Sequence, residues 1–183
     1  MTFRITKIKG DNPGNNFIYV HSDGGLKIID TVQYNIQDGK GYRAAHRFTA
    51  VADNASKDVL VQVGATKTPH TLILVSNEGD SHLDIYEGTT ISSSGSALGV
   101  FNKNRQSSGT SETNIFHTPT VSSTGTVINN IFLPGGRKNS ATGNNSLSQS
   151  EWMLKKSTNY LVRITNKSGA VIDMSTEIEY YEG

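Results

Sequence analysis

AHRFTAV (45–51), DVLVQVG (58–64), HTLILVS (70–76) and SHLDIY (81–86) are four short apolar runs separated by clusters of Asp, Asn, Ser, Lys, Gly and Pro. Each run is too short for an ordinary helix, and its β-branched residues fall at every second position. That rhythm belongs to an antiparallel β-sandwich or barrel. Working outward, the same pattern predicts strands near 45–51, 58–64, 70–76, 81–87, 97–102, 126–133, 159–166 and 170–180. Eight strands is the count of a jelly roll.

Alternation also predicts facing. Val59, Val61 and Val63 share one side of a strand, as do Tyr160, Val162 and Ile164. In the last run Ile172, Met174, Ile178 and Tyr180 oppose Asp173, Ser175, Glu177 and Glu179, so these apolar sets should meet between two sheets. Residues 1–41 read as an N-terminal arm or small extension. Its strand-like pieces FRITKIK, NFIYV and LKIIDTVQY are split by GDNPGNN and HSDGG, and would make a poor core alone. Residues 42–183 read as the sandwich. Two polar loops, 103–112 and 135–150, are too poor in apolar residues to order themselves and are expected to be mobile or held by a partner. No helix of ordinary length is expected, and SEWMLKKS forms at most a turn or two.

The 183 residues suit one domain and can bury about 70% of the surface of the unfolded chain without staples. The chain has no cysteine, which removes disulfides, thiolate zinc sites and thiol nucleophiles. Seventeen basic against sixteen acidic residues leave a net charge of +1, so no nucleic-acid partner is expected. The first residues hold no signal-peptide core and no run approaches the length of a membrane helix, so a soluble protein with no membrane partner is expected.

Several residue sets are of types that could carry chemistry. His82, Asp84 and Glu87 resemble a cupin metal strand, but Glu87 lies an odd number of residues from His82 and on the opposite face. Leu83 and Ile85 are the expected inward pair. Asp53 and Asp58 form a conceivable carboxylate pair, read more simply as turn residues. Leu133–Asn139 is a glycine turn without phosphate-loop spacing. Lys103 and Arg105 are loop cations without interleaved aromatics. Asn54, Asn144 and Asn166 begin chance glycosylation sequons. His46, His70 and His117 are read as structural histidines at strand ends, and Trp152 as a core cap or subunit contact. The expectation is therefore no catalytic residue, no metal and no cofactor.

In order, AHRFTA, DVLVQVGATKTPH, LDIYEGTTISSSG, FNKNRQSS, HTPTVSSTGT, LPGG and STNYLVRITNKSG resemble tailed-bacteriophage capsid decoration, or head-associated structural, proteins over about residues 42–183. The resemblance implies a non-enzymatic jelly-roll protein made in the bacterial cytoplasm. It implies binding to the major capsid protein on the virion surface, as a homotrimer, and reinforcement of the capsid. An arm pairing with a neighbour's sheet edge would suit that role. The rival reading is a receptor- or carbohydrate-binding module of a phage tail or fibre, which exposed aromatics such as Tyr86, Phe101 and Trp152 would serve if clustered.

Overall fold

Along Pro69–Asn77 buried and half-exposed residues alternate without a break, and Ile172–Glu182 does the same over eleven residues. The computed structural model describes residues 31–135 and 151–183. It contains helix α1 (Thr31–Gln37) and strands β1 (Gly41–Val51), β2 (Ser56–Gln62), β3 (Pro69–Asn77), β4 (Ser81–Glu87), β5 (Thr90–Ser93), β6 (Ser96–Ala97) and β7 (Phe101–Asn102). Then follow β8 (Asn114–His117), β9 (Thr120–Ser123), β10 (Thr126–Leu133), β11 (Trp152–Met153), β12 (Asn159–Asn166) and β13 (Ile172–Glu182).

Two antiparallel sheets face each other, in the orders β11-β3-β13-β1-β7 and β10-β4-β12-β2-β8-β6, with a separate β5-β9 ribbon. The pairing is nested: β1 with β13, β2 with β12, β3 with β11, β4 with β10. One long antiparallel ribbon thus wraps around a core, which is the jelly-roll arrangement. The ribbon's tip, residues 88–125, is an insertion. It returns to the far flank of the sandwich, where β7 pairs with β1 and β8 with β2.

The expected core is the observed one. Val59, Val61, Val63, Tyr160, Val162, Ile164, Ile172, Met174, Ile178 and Tyr180 are all buried, together with Leu83 and Ile85 from β4. Leu60 and Leu161 point the other way yet are also fully buried, side by side on the outer face between their register neighbours Phe116 and Tyr86.

The eighth strand of the roll differs from expectation. Residues 97–102 give only the two short insertion strands β6 and β7, while the eighth position is held by β11, within the segment read as a helical turn. Two residues carry too little alternation to register as a strand, and only the exposed side of β3 gives them a partner. Strands β5, β8 and β9 likewise lie outside the expected set. LKIIDTVQY has a strand-like pattern, but α1 begins inside it. Val32 and Ile36, spaced to share a helix face, line a shallow cleft with Leu72 and Tyr181 of the sheet. Gly41 makes the close approach possible, since a Cβ there would lie 2.8 Å from Ile36 Cγ1. Gly39, at φ 73°, ends the helix in the left-handed conformation that glycine favours. Among the described residues no helix is long and apolar enough to cross a membrane.

Candidate functional site

Inward parity along β13 ends on a charge. Glu182 is 2% exposed, and its carboxylate accepts hydrogen bonds from Ser111 Oγ (2.9 Å), Glu112 N (3.1 Å) and Thr113 N (2.9 Å). Lys67 Nζ stands 3.6 Å away as a partly exposed countercharge. A carboxylate that collects backbone amides and a cation can remain buried, whereas each amide left without it would carry a desolvation cost. The adjacent Tyr180 hydroxyl lies 2.7 Å from Ser111 Oγ, and burial raises its pKa well above that of a free tyrosine.

Glu112, next along the loop, accepts from Thr66 and from the backbone amide of Lys67; the Thr66 hydrogen bond is the main reason its pKa is lowered. Asn102 fastens the other end, donating to Gly39 O (2.7 Å) and Gly109 O (3.2 Å). The 103–112 loop is therefore held by this chain's own last strand, and no second molecule is needed to order it. Strand parity marks Glu182 as an inward residue in the sequence, but its partners are distant along the chain.

The other candidates are scattered over the molecule. His82 lies on the outer face of the six-stranded sheet with its ring 6.0 Å from that of Phe132, and Asp84 accepts from Asn130 Nδ2. Glu87 accepts from Lys155 Nζ and Tyr160 Oη (2.9 Å). The Lys155 hydrogen bond is the main cause of its lowered pKa, and Tyr160, chiefly through burial, is pushed up to about 12. Asp58 binds Arg163 through two hydrogen bonds of 2.8 Å, while Asp53 accepts from Gly169 N (2.9 Å), so these carboxylates serve separate contacts. Lys103 pairs with Glu179 at 2.9 Å, and Arg105 sits over the Phe101 ring.

His46 and His117, from opposite sheets, stack with centroids 3.9 Å apart, and His70 stacks on Tyr181 at 4.6 Å. Trp152 is half-buried and packs against the core, far in role from an exposed stacking platform. Asn166 is buried, donating to Val51 O and Ala170 O, which leaves no room for a glycan. Asn54 is in a left-handed turn. Leu133 is buried, and Gly135 N donates to Asp80. Asn144, residues 136–139 and the 136–150 part of the second loop lie outside the described residues. Among the described residues no three His, Asp or Glu side chains converge as ligands for a metal.

A cavity of about 260 Å³ opens where the insertion meets the sandwich, lined by Tyr42, Leu98, Ser111, Thr113 and Phe116 among others. It carries hydroxyls and apolar walls. Comparison of the chain with known proteins found no match to a family model, to a curated protein or to a solved structure.

Proposed function

We propose that the chain is a non-enzymatic virion structural protein that binds the outer surface of a tailed-phage capsid and stabilises it. One observation supports this reading above the others. The polar groups of the candidate sites are engaged within the fold, Asp58 by Arg163, Glu87 by Lys155 and Tyr160, and Glu182 by the insertion. They stiffen a scaffold and leave few groups poised for chemistry. Rigidity lowers the entropy lost on docking, and several copies on one lattice convert modest contacts into lasting attachment. The phage and its major capsid protein enter from the resemblance of the strand and turn motifs over residues 42–183, which also implies a trimer. The test is sedimentation of labelled protein with decoration-free heads of the source phage. Saturable co-sedimentation and greater resistance of the heads to heat are expected; free protein at all head concentrations would refute the reading.

The cavity favours a second reading, a carbohydrate-binding module, because neutral hydroxyl-bearing walls with an aromatic side chain suit a sugar. Glycan-array binding that Thr110→Phe, a bulky change at an exposed residue of the cavity wall, abolishes would favour it over capsid attachment.

A further inference from the structure

Two stretches of the chain are versions of each other. IYEGTTISSSGSAL (85–98) and IFHTPTVSSTGTVI (115–128) share an Ile, an aromatic, a Thr, a β-branched residue, a Ser pair and a Gly in the same order. Gly95 and Gly125 also share a left-handed backbone, at φ 82° and 83°. The six-stranded sheet repeats the relation. Tyr86 pairs with Leu161 and Val127, Phe116 pairs with Leu60 and Ala97, and Leu60 pairs with Leu161. A local two-fold axis therefore passes between Leu60 and Leu161, exchanging β4 with β8, β12 with β2 and β10 with β6.

Residues 88–95 lead from β4 to β6 and residues 118–125 from β8 to β10, so each arm passes from one side of the β12–β2 pair to the other. The inner face of that pair is packed against the second sheet, so both arms cross outside it, joined as β5 and β9 with Ile91 opposite Val121. This strap accounts for the complete burial of Leu60 and Leu161 on an outer face. Each arm is pinned where it passes the root of the other: a Cβ on Gly95 would lie 2.3 Å from His117 O, and one on Gly125 2.3 Å from Glu87 O. The two junctions match in backbone and differ in side chain. Glu87 is held by Lys155 and Tyr160. His117 stacks on His46 of the facing sheet, the rings nearly parallel at 3.9 Å, with Phe48 edge-on to His46.

We propose that the His46–His117 stack is a pH-sensitive clasp, which in mild acid releases one end of the strap while the Glu87 end holds. Two imidazolium rings at this separation repel, and the elements packed around them turn no carboxylate toward the pair. On β1, Arg43 and Arg47 lie on the opposite face from His46. On β13, Thr176 stands opposite His46 while Glu177 faces outward to Arg43, and Glu182 is engaged at the far end by Ser111. On β2, Val59 stands opposite His117, the cation Lys57 shares its side, and Asp58 faces outward to Arg163. On β6 the neighbour is Ser96, and neither strap arm carries a charge. Burial, and then His117, lowers the pKa of His46, so the clasp is complete above the ordinary histidine value of about 6.5 and is lost as pH falls below it. Glu87, its pKa lowered chiefly by the Lys155 hydrogen bond, stays ionised through the same range. The clasp does not depend on any capsid role.

The two-fold relation supplies an internal control. Thr118 N donates to Asp58 O at 3.0 Å beside the His117 junction, and Gly88 N donates to Asn159 O at 2.9 Å at the equivalent place beside Glu87. Amide hydrogen exchange of the full chain, read by nuclear magnetic resonance at pH 7.5 and 5.0 and divided by the intrinsic rates, compares them. Protection of the Thr118 amide should fall by about tenfold or more in acid, and that of Gly88 by less than about threefold. H46F/H117F keeps two stacked rings without a titratable proton and should hold Thr118 within about threefold across the same pH step. As a second variant, His117→Gln removes the stack at either pH, so its Thr118 protection should be low and equal at both. Unchanged protection in the parent overturns the proposal. So does an equal fall at Thr118 and Gly88, which would mark general acid destabilisation, or a pH difference at Thr118 that survives in either variant.

Discussion

The two flanks of the roll are finished differently. On one flank β1 has β7 against its first residues and carries Arg43 and Arg47, a register shift between Phe48 and Val51, and Ala50 at φ 50°. Charges, irregular backbone and a covering segment each discourage a foreign strand. On the other flank β10 runs uncharged through its whole length. An insertion of this size at the ribbon's tip costs little closure entropy, because the cost grows only with the logarithm of loop length. The difference teaches that residues 88–125 extend one side of the sandwich, while among the described strands β10 ends the other.

Removing what both flanks share should have the largest effect. Val162 is fully buried in β12, between β2 and β4, and Val162→Asp would bury an unpaired charge. A loss of about 4 kcal/mol or more, or failure to fold, is expected in urea unfolding monitored by circular dichroism.

Next comes a change confined to the guarded flank. Glu182→Ala strands the amides of Glu112 and Thr113 and should cost about 3 kcal/mol. Limited proteolysis should then cut within 103–112 while the β10 side stays resistant; uniform sensitivity would show that the two flanks are not separable.

Truncation sharpens the boundary. The arm read from the sequence ends at residue 41, but α1 and Lys40 belong to the body: Ile36 packs beside Gly41, and Lys40 O accepts from Glu182 N at 3.1 Å. Deleting residues 1–30 should leave the unfolding midpoint unchanged. Deleting 1–40 should lower stability by about 1–2 kcal/mol, because half-buried apolar surface and that hydrogen bond are lost.

The smallest effect concerns pH. Burial, and secondarily the neighbouring His117, lowers the pKa of His46 in the stacked pair between the sheets. The unfolded chain then binds the proton more readily than the folded one. The contribution is complete above the ordinary histidine pKa of about 6.5 and is lost as pH falls through and below that value. Thermal unfolding at pH 7.5 and 5.0 should show a lower midpoint in acid, and His117→Phe should reduce the difference. An equal drop in that variant would place the sensitivity elsewhere.

Local pattern alone determined much of this protein. Alternation in DVLVQVG, SHLDIY and NYLVRITN was enough to place the core residues, to turn His82 and Asp84 outward and to establish an all-β sandwich, because a strand's side-chain period is two regardless of its partner. What tertiary structure decided lies where period and local preference are silent. β11 is too short to show alternation, and α1 is a weak helix former held by the sheet beneath it. The buried carboxylate of Glu182 obeys the parity of β13, yet only the approach of Ser111, Glu112 and Thr113 makes its burial tolerable. That TVINNIFL lies on an edge rather than within a sheet is likewise absent from its own residues. Edge position depends on which strands stand beside it, and those neighbours come together only through contacts far apart along the chain.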